Sequence, residues 1–189
     1  DIHDTDAGYK SCLLSLEHST VSSGSKELIR QFIKDAEDGC HNPEREGSKP
    51  VGKRKLMPYV YYLIKWSRAL GKDWPKITTE DIRRLVADLK NDKITKMLNK
   101  KQAPYSEHTK FHMRSLLKLF LRWLAYKHEL PIKYGFIDVR HVKTKLPAYL
   151  AKEQVERLAL ATSNTMYRAL IWVLFDAGLR IEEALNLKM

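Results

Sequence analysis

The chain has 189 residues and a mass of 22.0 kDa, with 43% hydrophobic residues, 30% charged residues and a net charge of +11. Its longest uninterrupted apolar run, Ala169 to Phe175, is far short of the roughly 20 residues a membrane span needs, and no basic-then-apolar leader predicts secretion. Cys12 and Cys40 have no neighbours at zinc-like spacing and make no disulfide framework, so neither metal nor cofactor is expected, and the localisation expected is cytoplasmic.

The basic excess is concentrated. Residues 53 to 145 carry 23 basic and eight acidic side chains, whereas residues 146 to 189 balance at five and five. A surface with no partner rarely needs such bias, but a polyanion rewards it, because each neutralised phosphate releases counterions. Nucleic acid is therefore the leading partner, with no small-molecule substrate and no membrane.

In chain order, residues 1–25 mix Asp, Ser, Thr and Gly with one short apolar cluster, Cys12 to Leu16, and read as a flexible or adaptor segment. Ser25 is a candidate cap for a helix whose Leu28, Ile29, Phe32, Ile33 and Ala36 repeat at a helical period, ending at Gly39. A polar loop follows to Gly52. A second helix is predicted from about Lys55 to Leu70, with Pro58 tolerated if it lies in the first turn and Gly71 closing it. The third starts at Thr78, with Asp81 placed for a capping box and Ile77 and Ile82 for a hydrophobic staple. The Lys-rich stretch Asn91 to Gln102 reads as loop or frayed helix. Ser106 caps a fourth, long helix to about Lys127, with Met113, Leu116, Leu117, Phe120 and Leu124 inward. Residues 129–146 read as an interdomain linker bounded by prolines, and 147–189 as three short helices with a buried one at 165–177. No alternating strand pattern appears, so the expected class is all-α: a helical domain over 26–128, a linker, and the beginning of a second domain.

Lys110, Arg114, Lys118 and Arg122 recur every four residues on the fourth helix and are expected to form one solvent-facing basic ridge, since four like charges in register repel unless a polyanion meets them. Lys53, Arg54, Lys55, Lys65 and Arg68 on the second helix, and Lys143 and Lys145 in the linker, are further candidate DNA contacts; Arg83, Arg84, Lys100 and Lys101 are weaker ones. The aromatics Tyr59, Tyr61, Tyr62, Trp66 and Trp123 can stack on bases, but helical spacing favours the core. His108 and His112 have metal-compatible spacing without a third ligand. Near the end, Gly178 can take a left-handed cap. Arg180 opens a helix where a cation opposes the dipole, with Glu183 on the same face and able to orient the guanidinium.

This last stretch, Gly178-Leu179-Arg180-Ile181-Glu182-Glu183-Ala184-Leu185-Asn186-Leu187, resembles the G-L-R-x-x-E-x-L-x-L motif of tyrosine recombinases of the lambda-integrase type. Leu146-Pro147-Ala148-Tyr149-Leu150-Ala151-Lys152-Glu153-Gln154-Val155 resembles the segment that opens their catalytic domain, with Ala151 in place of the usual Thr cap. Thr109, Ser115, Leu117, Lys118, Phe120, Trp123 and Leu124 match a helix of their DNA-binding domain, and Gly71 to Ile82 also resembles members of the family, archaeal integrases among them.

The resemblance, covering roughly residues 26–189, implies a SAM-like four-helix core-binding domain followed by the first helices of a catalytic domain that is mainly α, or α+β when complete. It implies a site-specific recombinase, an integrase of a mobile element, that clasps duplex DNA as a C-shaped clamp and cuts and rejoins strands through a 3′-phosphotyrosyl link without metal or ATP. Self-association into a tetrameric synapse and a nucleoid location are implied as well. Arg180 matches the first catalytic arginine, on the scissile phosphate, and Glu183 its acidic support. No tyrosine follows Tyr167, so the nucleophile is not among these residues and the chain as it stands is expected to be inactive in cleavage. Two rivals remain: a non-catalytic DNA-binding remnant or regulator, and a type IB topoisomerase, which shares the chemistry but needs neither a particular sequence nor a second duplex.

Overall fold

Side-chain caps open several helices of this molecule. The computed structural model describes residues 5–45, 48–98, 101–140 and 149–186. It contains α1 (Thr5–Glu17), α2 (Ser23–Glu37), α3 (Lys53–Leu70), a single 3₁₀ turn (Trp74–Lys76), α4 (Thr79–Lys90), β1 (Lys96–Leu98), β2 (Lys101–Ala103), α5 (Glu107–Lys127), α6 (Lys152–Ala161), α7 (Thr165–Ala177) and α8 (Ile181–Leu185). The chain divides into two units, Asp1–Val142 and Lys143–Met189. Among the described residues no helix is long and apolar enough to cross a membrane.

Thr78 and Asp81 form the reciprocal capping box at α4: Thr78 Oγ1 accepts from the Asp81 N–H at 3.2 Å, and Asp81 Oδ2 accepts from the Thr78 N–H at 2.9 Å. Ser106 Oγ accepts from the Thr109 N–H at α5. At α2 the cap is Ser22, not Ser25: Ser22 Oγ accepts from the Ser25 N–H, while Ser25 is buried and its hydroxyl receives the Trp74 N–H. Pro58 is the sixth residue of α3, beyond the first turn, so the helix forgoes its hydrogen bond to the Arg54 carbonyl. Gly39, Gly71 and Gly178 all have positive φ, and a Cβ on Gly39 would collide with the Ser48 carbonyl.

The apolar stripes converge on one core in the first unit. Phe32 of α2, Phe120 and Trp123 of α5, and Trp74 of the 3₁₀ turn are all buried, with ring centroids 5.1 Å apart for Phe32–Phe120 and 5.0 Å for Trp74–Phe120. Leu56, Val60 and Leu63 of α3 and Ile82, Leu85 and Leu89 of α4 complete it.

Four expectations are corrected here. Residues 5–17 are not an irregular segment but helix α1, packed on α3 through buried Tyr9 and Leu16. Only these two side chains of α1 are buried, too few to write a helical period in the sequence. The Lys-rich stretch is neither loop nor helix; it holds the antiparallel hairpin β1–β2, which qualifies the all-α class to mostly helical. Residues 129–140 belong to the first unit, with Ile132 and Ile137 buried in its core and the Lys133 N–H donating to Thr79 Oγ1. Pro131 and the missing periodicity there mark a packed, non-helical segment, not a tether. Finally, α7 is not buried.

In the second unit, α7 packs on α6 and α8, and none of its side chains is buried; Val173 is 36% and Phe175 40% exposed. Val155 and Ala159 of α6 and Ala184 of α8 are buried instead. Asn164 Oδ1 caps α7, accepting from the Met166 and Tyr167 N–H groups. Ala151, which replaces a hydroxyl cap, leaves α6 with the other half of the box: its N–H donates to Gln154 Oε1 at 2.8 Å.

Candidate nucleic-acid interface

The four-residue rhythm on α5 does place Lys110, Arg114, Lys118 and Arg122 along one side of the helix, but not toward open solvent. Lys110 is 5% exposed, its ammonium 2.8 Å from both Asp92 and Glu107, and these two carboxylates push its pKa up, Asp92 foremost. Arg114 Nε is buried without a hydrogen-bond partner, and its charge helps Arg140, the dominant neighbour, to hold the Asp138 carboxyl low. Lys118 Nζ donates to the Ile137 carbonyl at 3.2 Å. Arg122 pairs with Glu44 at 2.9 Å and lies over the Tyr134 ring. The expected solvent-facing ridge is therefore corrected. Like charges in register are tolerated because Lys110, Lys118 and Arg122 each find a different non-local acceptor, which the spacing within one helix cannot reveal.

A group of cations gathers instead around the first half of α3. Three adjoining surface depressions run past it. His41, Arg45, Lys49 and Lys55 line the first. Lys55 continues into the second, with Tyr59, Tyr62, His112 and Ser115. Tyr62 and Pro58 lead into the third, beside Arg54, Tyr61, Lys96, Met97 and Tyr105. Five Lys or Arg side chains line these depressions, and among the described residues no Asp or Glu does.

Local folding reinforces that field. The first turn of α3 carries Lys53, Arg54 and Lys55 with no acidic residue, and Gly52 supplies no side-chain cap. The positive end of the helix dipole is thus met by further positive charge, which costs helix stability and favours an approaching anion. Burial, with the Lys55 charge beside it, pushes the His41 imidazole down, so that ring is held neutral. Burial raises the Tyr59 and Tyr62 hydroxyls, and in both cases the phenol stays protonated.

The remaining candidates fall outside this patch. Lys53 pairs with Asp6 of α1 at 3.0 Å. Lys65 stands over the Tyr61 ring, 5.7 Å from its centroid. Arg68 lines a separate depression near Lys72 and Asp73. Arg83 stacks on Phe136, and Arg84 reaches the Leu70 carbonyl. Trp66 and Trp123 are core residues. Lys100, Lys143 and Lys145 lie outside the described residues. Arg45 and Lys49 each sit singly in a polar stretch and Lys96 is one lysine among several, so only the fold singles them out beside α3. His108 and His112 bring their Nε2 atoms within 2.9 Å, and among the described residues no group of three metal-ligating side chains assembles.

In the second unit, the Arg180 guanidinium is 88% exposed and its Nη1 lies 3.2 Å from Glu183 Oε1, while the Arg180 N–H donates to Glu183 Oε2 at 2.8 Å. One carboxylate thus both caps α8 and orients the arginine.

Comparison with family models, curated proteins and solved structures finds no match to this chain.

Proposed function

We propose that this chain is the DNA-binding part and the first catalytic segment of a site-specific tyrosine recombinase, an integrase acting on duplex DNA. The observation that carries the reading is the run of depressions around α3, with five cations and, among the described residues, no carboxylate in their linings. A phosphate backbone fits that field: its charges are regularly spaced, and each contact displaces a condensed counterion. The recombinase reading adds the resemblance of the Gly178–Leu187 stretch, in which Arg180, oriented by Glu183, would bind the scissile phosphate.

The test is duplex binding by the 189-residue chain as a function of salt. Replacing Lys49, Arg54 and Lys55 by Gln should weaken binding and reduce the slope of log K against log salt by about three. An unchanged slope would remove the interface from α3. A second reading, a DNA-binding protein that never cuts, draws support from the open setting of Arg180, whose side chain is 88% exposed. Formation of a covalent 3′-phosphotyrosyl adduct by a form of the protein that includes the family's nucleophilic tyrosine decides between the two.

A further inference from the structure

None of the described residues of β1 and β2 is buried in the core. The stem of the hairpin is fixed: Ile94 before β1 and Tyr105 after β2 are both buried, and the Tyr105 hydroxyl lies 3.4 Å from that of Tyr61. Beyond the stem, Met97 is 65% and Leu98 53% exposed, side chains that gain nothing from water. The register pairs Met97 with Gln102 and Leu98 with Lys101. Residues directly opposite in an antiparallel pair share a face, so Met97 and Gln102 stand side by side on one face, and both are exposed. Lys96 and Met97 also form a wall of the cation-lined depression that holds Arg54. A polyanion lying in that depression touches the hairpin.

From this we propose that β1–β2 is a base-reading ribbon that enters the major groove of duplex DNA, a proposal that rests on the duplex-binding reading above. Width decides the groove. Two strands about 4.8 Å apart, with side chains on both edges, match a major groove about 12 Å wide and exceed a minor groove of about 6 Å. Chemistry then decides the base pair. In the major groove an A·T pair offers adenine N7 and N6 to a carboxamide and a thymine methyl to an apolar side chain. Gln102 and Met97 present that pair of groups from adjacent positions. Lys96 and Lys101, on the opposite face of the ribbon, reach the phosphates that wall the groove.

The experiment is selection of duplexes from a pool of randomised sequence by the full chain, followed by affinity measurements on the selected duplex at several salt concentrations. The intact protein should enrich an A·T pair at a fixed position. Met97→Ala with Gln102→Ala should lose that enrichment and bind about tenfold more weakly, with the salt slope unchanged because no cation is removed. Lys96→Gln with Lys101→Gln should keep the enrichment and lower the slope by about two. Met97, Lys101 and Gln102 are exposed and Lys96 is half-buried, none of them belongs to the buried core, and melting curves of the variants verify folding. Retained enrichment in the Met97/Gln102 variant overturns the ribbon while leaving duplex binding in place. Failure of the intact chain to bind any duplex removes both. Loss of self-association with unchanged selection would make the hairpin a contact between copies of this chain and overturn the proposal too.

Discussion

Lys110 Nζ and Asp92 Oδ1 lie 2.8 Å apart, and the lysine side chain is only 6% exposed. Asp92 is held there by a turn in which its own φ is 57°, and Glu107 shares the same ammonium at 2.8 Å. The lysine therefore ties the end of the α4 turn to the start of α5. Lys110→Met keeps the aliphatic stem and removes the charge-assisted bonds, and it should cost about 2 kcal/mol in denaturant unfolding. Its effect on the salt slope of duplex binding should be nil. A reduced slope would return Lys110 to the DNA-facing set.

The contrast between Lys110 and Lys55 shows what the sequence could and could not convey. Periodicity located α2 to α5 because their buried stripes repeat every turn, as Phe32, Leu63, Leu85 and Phe120 do. Capping chemistry located the start of α4 to the residue, since Thr78 and Asp81 act on each other within one turn. Charge spacing, by contrast, says which cations share a helix face, not what that face meets. Asp92, Glu44 and the Ile137 carbonyl come from three different loops, and only the tertiary fold brings them to α5. Arg45, Lys49 and Lys96 gather around α3 for the same non-local reason. The apolar run of α7 reads as buried because its composition is that of a core helix, yet none of its side chains is buried.

Ser67 and Trp74 support a second prediction. Trp74 is fully buried, and its indole Nε1–H donates to Ser67 Oγ at 2.8 Å, while that hydroxyl donates to the Leu63 carbonyl. Ser67→Ala leaves the indole N–H unsatisfied in the core and should cost about 1–3 kcal/mol. In a Trp74→Phe background the same substitution should cost markedly less, since the donor is already gone. A double-mutant cycle in urea measures the difference; equal costs in the two backgrounds would assign the effect to packing.

Asp81 gives the expected pH dependence. Its carboxylate accepts from Lys72 Nζ at 2.7 Å and from the Thr78 N–H and hydroxyl, and these bonds, Lys72 foremost, hold it well below the usual carboxylate range. The folded state thus favours the charged form more than the unfolded state does. The stabilisation is complete above the ordinary aspartate pKa of about 3.9 and is lost as pH falls through the lower, folded value. The Tm difference between the native chain and Asp81→Asn should be constant near neutrality and shrink below about pH 4. A gap that persists in acid would mean that the amide disturbs the capping box by shape, not charge.

Arg180 and Glu183 should behave asymmetrically. The guanidinium is exposed, and an exposed i,i+3 ion pair contributes under about 0.5 kcal/mol. The cap is different: it joins Glu183 Oε2 to the backbone N–H of residue 180, which any side chain but proline leaves in place. Arg180→Ala should leave Tm and the amide exchange of Ile181–Leu185 unchanged, whereas Glu183→Ala should speed exchange across α8. Faster exchange in the Arg180 variant would make the arginine a structural element. If exchange is unchanged, any loss of phosphate chemistry in Arg180→Ala under the proposed function can be read as loss of a direct contact, not of the fold.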